Sequence, residues 1–183
     1  TDSEIPKIPP ILLLGPPGLG KTMFAQALAN GMNVPFKVMR MENQQASASL
    51  TGTAEFWSNS KPGLIFNLLT TENCANPIVV LDEVDKSNVN AQYNPLNSLY
   101  SLLETSSSKV FSDESMPDLT LDASKITWIL TANNIDHIPE AILSRVRVFN
   151  IPSPSLDQSK SIVSKIYKGM LKDSANLTAK FWT

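Results

Sequence analysis

An α/β fold built on a parallel sheet with helices on both faces is predicted by three features of the sequence. Gly15-Pro16-Pro17-Gly18-Leu19-Gly20-Lys21-Thr22 follows an apolar run at residues 11–14 and precedes helical spacing at Phe24, Ala27 and Leu28. That order sets a glycine-rich turn between a buried strand and a helix start. Two more continuous apolar runs, residues 78–81 and 126–130, lack the polar alternation of a half-exposed strand and suit strands buried on both faces. Strand-like and helix-like segments alternate along most of the chain, the order that builds a parallel sheet.

Taken in order, residues 1–10 hold Pro6, Pro9 and Pro10 and are expected to form an extended lead-in. The first strand, the glycine-rich turn and the first helix follow, the helix closing near Asn30-Gly31. Residues 35–40 read as a second strand with Phe36, Val38 and Arg40 on one face. Residues 42–61 read as a polar loop that nonetheless carries Phe56 and Trp57 side by side. Pro62 is suited to a first helical turn, with Leu64, Ile65, Leu68 and Leu69 on one side of the helix. The run at 78–81 ends in Asp82-Glu83. Leu96, Leu99, Tyr100 and Leu103 mark an amphipathic helix, and residues 105–124 alternate β-like pieces with polar turns, as a hairpin insert would. The run at 126–130 leads into Thr131-Ala132-Asn133-Asn134. A short helix at 139–144 and a last strand at 146–151 complete the unit. Pro152 and Pro154 break the chain before a helix from 156 to 171 with Ile162, Val163, Ile166, Tyr167 and Met170 on one face.

Composition narrows the classes. With 183 residues, 42% hydrophobic and 17% charged, the chain is long enough for one sizeable core and is not a disordered type. A net charge of −2 argues against a strongly basic nucleic-acid surface. Cys74 is the single cysteine and His137 the single histidine, so neither an intrachain disulfide framework nor a Cys/His metal site is expected, and a reduced, cytoplasmic setting fits. The longest apolar run is far short of a membrane span. Met39 and Met41 read as packing, and Cys74 and His137 as residues without a catalytic part. The first residue is Thr1 rather than Met, as in a piece of a longer protein.

The glycine-rich turn predicts phosphate binding. Its glycines let successive N–H groups turn inward toward phosphate oxygens, and the helix start adds partial positive charge. Lys21 reaches outer phosphates as a point charge, and the Thr22 hydroxyl is a ligand for Mg²⁺. Asp82, at a strand end, suits the same Mg²⁺. Glu83 is placed to orient the attacking water or accept its proton. Asn133 also follows a buried strand; it serves either as a hydrogen-bond donor to that water or the γ-phosphate, or as a turn former. Arg145 and Arg147 are both candidates for an arginine given to a neighbouring subunit's γ-phosphate, and local sequence does not choose between them. Phe56-Trp57 is read as either a contact surface or a loop packed on the core, with packing slightly favoured.

These motifs resemble those of the AAA+ ATPases, and among them the ATPase module of Lon-type (ATP-dependent protease La) proteins. The resemblance covers about residues 10–170. It rests on Gly-Pro-Pro-Gly-Leu-Gly-Lys-Thr, on Asn76-Pro77 through Asp82-Glu83-Val84-Asp85-Lys86, on Leu102-Leu103-Glu104 and Phe111-Ser112-Asp113, and on Ile138 through Arg145. It implies a P-loop NTPase fold, a three-layer α/β/α domain with a five-stranded parallel sheet and the start of a helical lid. The boundaries are a lead-in at 1–10, the nucleotide-binding domain at 11–154 and the truncated lid at 155–183. It implies ATP and Mg²⁺ as cofactors, Asn133 as a sensor, Arg145 rather than Arg147 as the finger, and Trp57, with Phe56, as the aromatic pore-loop position. Ser58-Asn59 depart from the aliphatic residue and glycine usual after that aromatic. The implied partners are copies of itself in a ring, usually a hexamer, and polypeptide substrates, with no membrane. A DNA motor or loader, a small-molecule kinase and a nucleotide-dependent scaffold are the competing readings. The acidic balance weighs against the first, the lack of Arg between Arg40 and Arg145 against the second, and Glu83 against the third. No guanine-specifying Asn-Lys-x-Asp segment is present, which favours ATP over GTP.

Overall fold

The computed structural model describes residues 7–41, 46–72, 74–87 and 96–181. Positions 1–6 of the expected lead-in and 42–45 of the expected polar loop lie outside the described residues. The elements are β1 (Ile11–Leu14), α1 (Lys21–Met32), β2 (Phe36–Arg40), α2 (Ala46–Thr51), α3 (Leu64–Thr71), β3 (Ile78–Asp82), α4 (Asn97–Leu102), α5 (Thr105–Ser108), β4 (Phe111–Asp113), β5 (Met116–Leu121), β6 (Thr127–Ala132), α6 (Glu140–Leu143), β7 (Arg147–Asn150) and α7 (Leu156–Phe181). One turn of 3₁₀ helix, Val84–Lys86, follows β3.

The five predicted strands form one parallel sheet in the order β2-β3-β6-β1-β7. The longest apolar runs take its middle: the first four residues of β3 and all of β6 are buried, whereas β2 and β7 are half-buried or exposed edges. Side chains alternate between the faces. Leu13, Ile78, Val80 and Ile129 pack on α1 through Ala25 and Ala29, whose small side chains let helix and sheet approach closely. Leu12, Val79, Leu81, Trp128 and Leu130 face the other layer, where Ile65 and Leu68 of α3, Leu99 of α4 and Ile142 of α6 meet them. Met41 is fully buried there, and Met39 is partly buried against it. The insert is an antiparallel pair, β4-β5, separate from the main sheet.

Several local expectations shift. The stripe that α1 buries is Ala25, Leu28, Ala29 and Met32, and Phe24 is 54% exposed. The helix runs past Gly31 and closes on Asn33, whose left-handed backbone returns its N–H to Ala29 and Asn30. Asparagine tolerates that conformation well enough to replace glycine. Pro62 precedes α3 rather than starting it, because Gly63 is the N-cap. Part of the polar stretch is helical, as α2.

The chain forms two compact units, Thr1–Ile151 and Pro152–Thr183. In the second, α7 begins with a capping box: Ser155 N–H donates to Gln158 Oε1 at 2.9 Å and Gln158 N–H donates to Ser155 Oγ at 3.3 Å. Ile162, Val163, Ile166, Tyr167 and Met170 of α7 are exposed. No helix among the described residues is long and apolar enough to cross a membrane.

Candidate active site

Parallel strands bring their C-terminal ends to one edge of the sheet, and the predicted residues converge there. The turn after β1 is anchored by Gly15, whose N–H donates to Ala132 O at 3.1 Å. A Cβ on Gly15 would stand 2.3 Å from the carbonyl oxygen of Ile151, so only glycine lets the turn pass the end of β7. Gly18 and Gly20 both adopt φ +78, a conformation side chains resist. From Gly20 the chain enters α1 directly, Phe24 N–H reaching Gly20 O at 2.8 Å. The N-terminus of a three-turn helix therefore opens onto the turn.

Lys21 Nζ lies 2.6 Å from Gly15 O, 3.0 Å from Pro16 O and 3.1 Å from Asn133 Oδ1. Burial pushes its pKa below the usual lysine range, and Asp85, Asp82 and Glu83 pull against that shift in this order. Thr22 Oγ donates to Asp82 Oδ1 at 3.2 Å, and Thr131 Oγ donates to the same oxygen at 2.6 Å. Thr131 Oγ in turn accepts the Glu83 N–H at 3.0 Å. Glu83 has a left-handed backbone, φ 57, a strained state for a non-glycine residue. Its carboxylate meets Lys86 Nζ at 2.6 Å. Asp85 Oδ2 accepts the N–H groups of Asn133 at 3.0 Å and Asn134 at 3.1 Å, which fixes the turn after β6.

Gly18, Lys21, Thr22, Asp82, Glu83 and Asn133 line one cleft of about 330 Å³. An apolar cleft of about 340 Å³ adjoins it, where Leu19, Gly20 and Lys21 meet Phe24, Phe149 and Ile151. The donor set fits a magnesium nucleotide: inward-turning glycines, a cation and a helix start suit phosphate, and a hydroxyl beside a carboxylate suits a hard divalent ion that keeps its other oxygens from phosphate and water. Among the described residues, no cluster of three His, Cys, Asp or Glu forms an all-protein metal site.

The remaining predicted residues stand elsewhere. No arginine lines the phosphate cleft among the described residues. Arg145 Nη1 donates to Ala141 O at 2.5 Å, one turn back in α6, and Arg147 lies exposed at the start of β7. Phe56 is 78% and Trp57 58% exposed, so the packing reading of this pair is corrected. The loop closes on itself through Thr53 N–H to Lys61 O at 3.1 Å and Ser60 Oγ to Thr53 O at 2.8 Å. That closure leaves the two rings, with centroids 5.4 Å apart, facing outward. Two site residues were missed by sequence reasoning, Thr131 and Asp85. Thr131 was visible in principle, since it lies two positions before Asn133 at the end of a strand destined to sit beside Asp82.

A glycine-rich turn at a helix start, with a strand-end carboxylate and hydroxyl facing it, defines a nucleotide-binding protein of the P-loop class. Within that class, the family model described as "ATPase family associated with various cellular activities (AAA)" matches residues 11–153. The chain belongs to the AAA family, and the assignment as an ATPase stands with it. It is 33% identical over 165 residues to the Lon protease of Fervidobacterium nodosum, covering 90% of this chain and 20% of that protein. It is also 33% identical over 159 residues to the Lon protease of Acinetobacter baumannii, covering 87% and 19%. The peroxisomal Lon protease homolog 2 of Oryza sativa subsp. japonica is 29% identical over 157 residues, 86% of this chain and 18% of that one. The chain thus spans about a fifth of the length of these curated relatives, and its likeness to the ATPase module of Lon-type proteins covers most of its own length.

Proposed function

We infer that this chain is the ATP-hydrolysing motor module of a Lon-like ATP-dependent protease or unfoldase, working in the cytoplasm as a ring of identical subunits, usually six, that pulls on polypeptide. The observation that carries the reading is an outward-facing aromatic pair on a self-closed loop, in a domain whose sheet edge is built for a nucleotide. Such a pair, standing clear of the core, is suited to grip an extended chain by its side chains.

In this reading the turn from Gly15 to Gly20 wraps the phosphates: Gly18, Leu19 and Gly20 offer their backbone N–H groups, while Pro16 and Pro17, which have none, shape the turn and Gly15 stays anchored to Ala132 O. Lys21 exchanges its carbonyl partners for the outer phosphates. Thr22 and Asp82 hold Mg²⁺, and the bound ion offsets charge on the phosphate oxygens. The apolar cleft beside Phe24 receives the adenine ring. Glu83 leaves Lys86 to orient a water and take its proton, while the strained backbone at position 83, held by Thr131, keeps the carboxylate at the cleft. Asn133 shares its amide between Lys21 and the γ-phosphate. Arg145 serves the site of the next subunit, consistent with its absence from its own cleft.

The test is ATP hydrolysis by the full-length protein, wild type against Glu83→Gln, with and without casein. Stimulation by casein that vanishes in the variant is expected. Activity raised by DNA and indifferent to casein would move the module to the nucleic-acid motors. The hairpin that such motors share is present here, but residues 111–122 carry four acidic and no basic side chains, which disfavours a phosphate backbone.

A further inference from the structure

One buried carboxylate has no part in the nucleotide site. Asp113, at the end of β4, is 1% exposed. Its Oδ2 accepts the Gly63 N–H at 2.8 Å, and its Oδ1 accepts Ser115 N–H at 2.9 Å and Ser115 Oγ–H at 2.6 Å. Three donors therefore converge on a charge that burial would otherwise expel.

Gly63 and Gly52 are the two ends of the loop that carries Phe56 and Trp57. They meet at a neck too narrow for any side chain. A Cβ on Gly63 would stand 2.3 Å from Gly52 N, and a Cβ on Gly52 would stand 2.0 Å from Asp113 Oδ1. Gly52 is also in a glycine-favoured conformation, φ +87. A second tie lies alongside: Glu114 N–H donates to Thr51 O at 2.8 Å. The aromatic loop is thus joined to the β4-β5 hairpin at its base, across about fifty residues of sequence, by the Asp113 carboxylate.

We propose that Asp113 is a positioning residue that clamps the neck of the aromatic loop to the β4-β5 hairpin, so that loop and hairpin move as one body and the loop's hold on polypeptide depends on the clamp. This rests on the polypeptide-pulling reading above. Asn cannot replace Asp here. Its amide offers one acceptor oxygen, and in either orientation the NH₂ group faces the backbone donor of Gly63 or of Ser115.

The experiment uses the full-length protein and its Asp113→Asn, Ser115→Ala and Trp57→Ala variants. Casein-stimulated ATP hydrolysis is measured as a function of casein concentration, together with hydrogen–deuterium exchange of the uncomplexed proteins. For Asp113→Asn, the casein concentration giving half-maximal stimulation is expected to rise about tenfold, with turnover at saturating casein changed less than about twofold. Exchange is expected to quicken only in residues 52–63 and 111–116. Ser115→Ala, which spares the Gly63 bond, shows the same pattern in smaller measure and serves if Asp113→Asn does not fold. Wild-type casein dependence and loop exchange in both variants, beside a Trp57→Ala protein that has lost its response, overturn the clamp and leave the polypeptide reading standing. Faster exchange throughout the sheet overturns it as well, since Asp113 is then merely structural. A Trp57→Ala protein with wild-type casein response, beside quickened loop exchange in Asp113→Asn, overturns instead the polypeptide reading, and with it the clamp's link to grip.

Discussion

Thr131 holds two neighbours with one hydroxyl, donating to Asp82 and accepting from Glu83. It touches neither phosphate nor metal in the proposed chemistry, yet it aims both carboxylate-bearing residues. Thr131→Val keeps the shape and removes the hydroxyl, so the Mg²⁺ concentration for half-maximal ATP hydrolysis is expected to rise about tenfold or more. A metal titration of the steady-state rate checks this; an unchanged titration would show that Asp82 is held without its help. Lys21 gives a prediction in pH. Burial lowers its pKa from 10.5 in the fold, so the unfolded chain binds the extra proton between that lowered value and 10.5, and stability rises with pH there. Nucleotide binding behaves in the opposite way, because phosphate needs the cation. ATP affinity is expected to fall on the alkaline side, earlier than for an ordinary lysine, and Lys21→Arg should lack that fall. Equilibrium binding at several pH values reads it directly, and a flat wild-type profile up to the ordinary lysine pKa would count against the assignment. The glycine-rich turn and Asp82-Glu83 were legible because their chemistry is written in consecutive residues. Thr131 and Asp85 were harder to see because their partners lie about fifty positions away, and only the pairing of β3 with β6 makes them neighbours.

The same distinction separates the strands from their helices. β3 and β6 were legible as unbroken apolar runs because they are buried on both faces, and their central place in the sheet is the reason for that pattern. Leu81→Ala in β3, at a fully buried position, is expected to cost about 2–5 kcal/mol of stability. Chemical denaturation of the chain measures it. A loss under about 1 kcal/mol would mean that this layer collapses around the cavity. In contrast, α1 misleads a reader of hydrophobic spacing. Phe24 looks like a core residue and stands exposed beside the apolar cleft, while alanines bury the contact face. The start of α2 within a polar stretch carries no periodic signal, and its fixed point is Leu50, which is fully buried in the core. Phe56 and Trp57 mislead in the other direction, since composition argues for burial and a loop closed by its own hydrogen bonds removes the need for it. Each miss falls where contacts between distant segments, or the demands of a surface, outweigh local preference.

The chain gathers the residues proposed to hold ATP at one cleft and, among the described residues, brings no arginine to it. Lys21, Thr22, Asp82, Glu83 and Asn133 share the cleft, and Arg145 is held at the end of α6, bonded to Ala141. If the finger acts on the adjacent subunit, as proposed, the requirement for Lys21 and the requirement for Arg145 belong to different chains at every working site. Two dead proteins then make a live one. Full-length Lys21→Ala and Arg145→Ala proteins are each expected to be inactive, the first for want of the phosphate-binding cation and the second for want of charge stabilisation, a loss of about 10³-fold or more. When equal amounts are mixed and allowed to exchange subunits, an interface that pairs the nucleotide site of an Arg145→Ala chain with the finger of a Lys21→Ala chain is intact. In a closed ring with random order, about a quarter of the interfaces are of this kind. ATP hydrolysis should therefore reappear on mixing, at up to that fraction of the wild-type rate. It should not reappear when Lys21→Ala is mixed with Glu83→Gln, because both lesions lie in the same cleft and no interface receives a whole site. A finger acting within its own subunit predicts silence in both mixtures, so recovery in the first and not in the second is the signature of a site completed between neighbours. Arg147→Ala belongs in the same series: it should be as active as wild type on its own if Arg145 alone serves the phosphate, and an Arg147→Ala protein that is inactive alone and recovers on mixing with Lys21→Ala would transfer the role to β7.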